Sequence, residues 1–163
     1  MDLGSAIIGM VLIAICVLPF VWMHRIKKAG ENKLLKALSE LAAGKGCAAS
    51  KQQVFRDFAI GMDENKGYVF FYKKSNEEEV SACIDLAGTR TCKVVNTSSS
   101  FNTHDGARKV TEKLELVFAP VADNTPTVAL EFYDMYKNVQ LSGELQLIEI
   151  WADRISEWLK KVK

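Results

Sequence analysis

The chain predicts an α+β fold: an N-terminal transmembrane helix, an amphipathic linker helix, about six antiparallel strands and a long amphipathic helix that closes them. Three observations carry this reading. Charge is absent from Leu3 to Met23, apolar residues alternate with a period of two across the middle of the chain, and they recur at helical spacing after Glu144. The divisions that follow are an anchor over 1–23, a basic juxtamembrane segment with an amphipathic helix over 24–46, and one α+β domain over 47–163.

The run from Leu3 to Met23 is about 21 residues long and as a helix reaches about 31 Å, the thickness of a hydrocarbon core. A cleaved signal peptide would place basic residues before a shorter apolar stretch. Here Asp2 precedes the run, and His24-Arg25-Ile26-Lys27-Lys28 follows it. A lipoprotein signal fails at Ile15, which is bulky where a small residue must precede Cys16. The charge asymmetry places the N-terminus outside and the C-terminal domain in the cytoplasm, so the expected localisation is the membrane, with a single pass. Arg25, Lys27, Lys28, Lys33 and Lys36 are the candidate membrane-surface contacts, each worth about 1 kcal/mol near anionic headgroups; their plainer role is to set topology. Ser5 and Gly9 form a small-xxx-small pair that leaves a homo-oligomer through the span open.

Between Asn32 and Gly46, Leu34, Leu35, Leu38, Leu41 and Ala42 have helical spacing, and Gly44 and Gly46 are stop signals. Gly30 alone interrupts the stretch from the apolar run to Ala43, which suggests a nearly continuous rod; the apolar stripe suits packing on the following domain or the membrane surface. Phe58, Ile60 and Met62 alternate, Asp63 to Gly67 supplies turn residues, and Tyr68 to Tyr72 is an aromatic β-favouring run, so a hairpin is expected. Val80, Ala82, Ile84 and Leu86 then share a face, and Thr91 to Val95 reads as their return strand after Ala87-Gly88-Thr89. Asn96 to Gly106 reads as a loop by its Ser, Thr, Asn and Gly content. Two strands follow, carrying Leu114, Leu116 and Phe118, then Val128, Leu130 and Phe132. Finally, Leu145, Ile148, Ala152, Ile155, Leu159 and Val162 define a helix, with Ser142 as the expected N-cap.

The chemistry-bearing residues are sparse, and no catalytic, cofactor-binding or metal-binding residues are assigned. His104 and Asp105 follow Ser98-Ser99-Ser100 on one polar stretch, without a nucleophile-elbow glycine pattern. Cys47, Cys83 and Cys92 lack CxxC spacing, and a disulfide between Cys83 and Cys92 depends on the strand register. No phosphate-cradling glycine motif occurs. Residues 46–143 carry 11 basic and 13 acidic side chains, which is no basis for nucleic-acid binding. No cofactor is expected.

Strands closed by one long C-terminal amphipathic helix, from Val54 to Lys163, resemble the pleckstrin-homology-like architecture, a bent sheet or partial barrel plugged by such a helix. The resemblance implies binding of phosphoinositides, peptides or protein partners more than catalysis. The expected function is therefore a single-pass membrane-anchored cytoplasmic interaction module that docks an unidentified protein partner or the membrane surface. Tyr68, Phe70 and Tyr72 are its candidate partner surface. A structural subunit of a membrane complex is the alternative, and a hydrolase using the 98–105 loop is a third reading.

Overall fold

The computed structural model describes residues 16–17, 25, 28–75, 78–103, 106–122, 124–137 and 140–162. The expected anchor over 1–23 lies outside the described residues except at 16–17, and among the described residues no helix is long and apolar enough to cross a membrane. A first helix, α1, covers residues 28–44. Seven strands follow: β1 Lys51–Phe55, β2 Phe58–Asp63, β3 Tyr68–Lys74, β4 Glu79–Asp85, β5 Thr89–Thr103, β6 Gly106–Pro120 and β7 Val128–Asp134. Helix α2, Glu144–Val162, ends the fold. The strands form two antiparallel sheets, β1-β2-β3-β4 and β5-β6-β7, with no closed barrel among the described residues.

Both faces of the first sheet are covered, which explains why every residue of β2 is buried. Phe58, Ile60 and Met62, with Val69 and Phe71 of β3, join the main core under α2. The opposite face presents Ala59, Phe70 and Tyr72 to Leu34, Leu38 and Ala42 of α1. Close approach depends on small residues, since a Cβ on Gly61 would stand 2.9 Å from Leu38 Cδ2. α1 is therefore part of the domain rather than a rod holding it away from a bilayer.

The end of α1 follows from its glycine. Gly46 has φ +66, and the Cys47 and Gly46 N–H groups donate to the Ala42 and Ala43 carbonyls. This is the Schellman pattern that satisfies the last carbonyls of a helix. Asp63 then ties the departing chain to the β2–β3 turn, because its carboxylate accepts from the N–H groups of Ala48 (3.0 Å), Asn65 (3.0 Å) and Lys66 (3.1 Å). The Ala48 bond does most to hold its pKa below the ordinary value; burial pushes the other way, and the Lys66 and Asn65 bonds add to the lowering. A lowered folded-state pKa stabilises above the unfolded value and is lost as pH falls through the folded one. Asp63→Asn should thus cost about 1–3 kcal/mol at neutral pH, with the gap from wild type narrowing below about pH 4. Urea unfolding at a series of pH values measures both.

Three expectations are corrected. The strands number seven rather than about six, because Lys51–Phe55 pairs with β2; an edge strand whose first three residues face solvent has no apolar alternation to betray it. The hairpin expected between Val80–Leu86 and Thr91–Val95 does not form. At Asp85–Thr89 the chain instead changes sheets, with Leu86 buried, its N–H on the Gly67 carbonyl, and the Thr89 hydroxyl on the Asp85 carbonyl. Asn96 to Thr103 is strand rather than loop: β5 and β6 pair from Thr89↔Pro120 to Thr103↔Gly106, with register shifts between Thr89 and Thr91 and between Thr97 and Ser98.

Helix α2 seats Ile148, Trp151 and Ile155 on the core, all fully buried. Gly143 (φ +106), rather than the side chain of Ser142, precedes it and offers its carbonyl to the Leu147 N–H. The buried Glu144 carboxylate accepts from the Ser142 N–H and pairs with Arg56 at 3.3 Å. Arg56 occupies the β1–β2 turn, so the pair fastens the start of α2 to the first sheet.

Candidate functional site

β4 and β7 each end their sheet, and a cleft of about 300 Å³ opens between them. Its floor is apolar, made by Phe71, Val80, Ala82, Val128 and Leu130. Val80 and Val128 stay substantially exposed there, at 45% and 40%. Alternation along β3 puts Lys73 on the interior face with Val69 and Phe71, a position that normally rejects charge. The side chain escapes by running to the cleft, where its ammonium lies 3.2 Å from the Glu131 carboxylate and 3.4 Å from the Glu131 carbonyl.

Glu131 is the hub of a wider network. Lys113 stands 3.7 Å and Lys137 3.5 Å from it; Lys113 also pairs with Glu115 at 2.8 Å, and Lys137 with Glu78 at 3.1 Å. Two of these contacts, Lys73–Glu131 and Lys137–Glu78, cross the gap between the sheets where strand pairing is missing. Burial pushes the Glu131 pKa up, but Lys73, Lys137 and Lys113 together outweigh it and hold the carboxyl below its usual value. The hydrogen bond to Glu115 raises the Lys113 pKa, and that to Glu78 raises the Lys137 pKa. All three shifts lead away from neutrality, whereas a general acid or base needs a pKa near the working pH. The rim is a set of fixed ions around an apolar floor, an arrangement suited to holding a chain segment.

The sequence-predicted surface Tyr68, Phe70 and Tyr72 is placed elsewhere. These residues lie on the face of the first sheet that α1 covers; Phe70 is fully buried, and the Tyr72 hydroxyl donates to Glu79 at 2.7 Å. Their aromatic stripe is the seat of the protein's own helix. Of the basic candidates, Arg25, Lys28, Lys33 and Lys36 are exposed, and Lys27 lies outside the described residues. Because Leu34 and Leu38 are consumed by packing, α1 turns outward a polar face that carries Lys33, Lys36, Ser39 and Glu40. Lys33 borders a groove that Arg56 and Lys74 also line.

Cys83 and Cys92 belong to different sheets, and both are free thiols. Burial pushes the Cys92 pKa up to about 12, so it stays a neutral thiol. Ser98–Ser100 lie in β5, where Ser99 Oγ donates to the Glu112 carboxylate; His104 and Asp105 are outside the described residues. No group of three metal-ligating side chains occurs among the described residues.

Sequence reasoning passed over Lys73 and Glu131, which are 58 positions apart. One signal was available, since Lys73 continues the interior alternation of Val69 and Phe71. No protein-family model, curated protein sequence or solved structure significantly matches the chain.

Proposed function

We propose that the protein is a single-pass membrane-anchored interaction module whose cytoplasmic domain docks an extended segment of a protein partner in the β4–β7 cleft. The observation that carries this reading is the cleft itself: two strands that, among the described residues, have no outer partner flank an apolar floor with two exposed valines, ringed by paired ions. Unpaired strand edges recognise main chain, and the pockets between them select side chains. The order of four strands, three strands and a closing helix supports the pleckstrin-homology-like reading, in which binding outweighs catalysis. The uncharged run over 3–23 supports the anchor, and the outward basic face of α1 suits a position beside anionic headgroups.

Val80→Arg tests the cleft, because Val80 is exposed enough to accept the change without disturbing the core. The full-length variant, purified from its native membrane, should recover the partner at least tenfold less than wild type while unfolding at the same temperature. Equal recovery would count against the cleft, and a wild-type chain that co-purifies with no protein would count against a docking module.

A further inference from the structure

Beyond the cleft, the long β5–β6 hairpin has an unusual outer half. β7 pairs with β6 only over Lys113–Phe118, and the Met135 N–H makes the last bond, to the Glu112 carbonyl. Past that point, among the described residues, β5 and β6 continue without a third strand from Ser98↔Thr111 to Thr103↔Gly106, a two-stranded ribbon about 20 Å long at ~3.3 Å per residue. A register break between Thr97 and Ser98 leaves Glu112 as the extra residue, and its carboxylate is held by the Ser99 hydroxyl. Such a bulge re-aims the strands that leave it. A ribbon of two strands is marginal in water and gains from a third.

The free edges of the fold are not alike. Proteins blunt edge strands with charge, and β1 carries Lys51, β4 carries Glu79 and Asp85, β7 carries Glu131 and Asp134, and the β6 side of the ribbon carries Arg108, Lys109 and Glu112. From Val94 to Thr103, β5 has ten consecutive residues without a charge, a proline or a glycine. Among the described residues strand pairing occupies one side of it only, since β6 is its single strand neighbour there. Val95 and Ser100 are exposed there.

We propose that this edge pairs with the same edge of a second copy, extending the β5–β6 ribbon into a four-stranded antiparallel sheet across a two-fold axis. A two-fold antiparallel pair brings one segment against its own reverse, so the segment must tolerate itself. Asn96–Thr103 does, because no charge meets a like charge in any register centred on it. The β6 edge does not: centred between Arg108 and Lys109, it would set these cations against each other. Eight residues a side are fewer than a permanent interface uses, so the association is weak and concentration-dependent. It needs neither the cleft nor a partner protein.

The test is sedimentation equilibrium of the full-length chain in detergent micelles from micromolar to submillimolar concentration, with Ser100→Lys and Lys109→Gln beside wild type. Ser100 is exposed, and in a pairing centred near it the new lysines of the two copies face each other. The expected result is a monomer–dimer equilibrium for wild type and Lys109→Gln, weakened at least tenfold in Ser100→Lys. Three outcomes overturn the proposal: a wild-type chain that stays monomeric throughout, a dimer untouched by Ser100→Lys, as a span-mediated contact through Ser5 and Gly9 would give, or a dimer lost equally in Lys109→Gln.

Discussion

Trp151→Ala should lower the unfolding free energy by about 3–5 kcal/mol, the range for removing a large aromatic from a closed core. The indole lies midway along α2 with no exposed surface, and its neighbours in the core come from both sheets. Its Nε1–H donates to Gln53 Oε1 at 3.2 Å, reaching β1 at the far edge of the first sheet. Truncation therefore opens a cavity and breaks a link between α2 and that edge. Gln53→Ala removes the link alone and should cost about 1 kcal/mol. Chemical denaturation of the two variants separates packing from hydrogen bonding. A Trp151→Ala loss below that of Gln53→Ala would mean that α2 does not organise the core.

The second large effect is expected at Gly67, in the β2–β3 turn. Its φ of +70 suits glycine, and a Cβ there would stand 2.3 Å from Cη2 and 2.5 Å from Cζ2 of Trp158. The ring cannot retreat freely, because its Nε1–H donates to the Glu64 carbonyl at 2.7 Å. Gly67→Ala combines left-handed backbone strain of about 1–2 kcal/mol with overpacking of about 1–3 kcal/mol. A double-mutant cycle with Trp158→Leu assigns the shares: the smaller side chain should recover the overpacking and leave the strain. Full additivity of the two substitutions would show that the clash is relieved elsewhere.

Legibility of the fold in the sequence followed the range of the forces. Helices α1 and α2, with stripes at Leu34, Leu38 and Ala42 and at Ile148, Ala152, Ile155 and Leu159, are written locally, as are the alternations of β2 and β3. The outer half of β5 was not. Asn96-Thr97-Ser98-Ser99-Ser100 has the composition of a turn, and only pairing with β6 makes it extended. The seat of α1 was half written: Ala59 and Gly61 on one strand and Phe70 and Tyr72 on the next mark a covered face, but nothing local says which segment covers it. The cleft was least legible, since Lys73, Lys113 and Glu131 meet only after two sheets are placed edge to edge.

The small side chains beneath α1 have a mechanical consequence. α1 is interlocked with the sheet where Leu38 settles over Gly61. A pull on the start of α1 thus enters the domain as shear along a helix–sheet contact. Load is shared among Leu34, Leu38 and Ala42 before any strand is peeled.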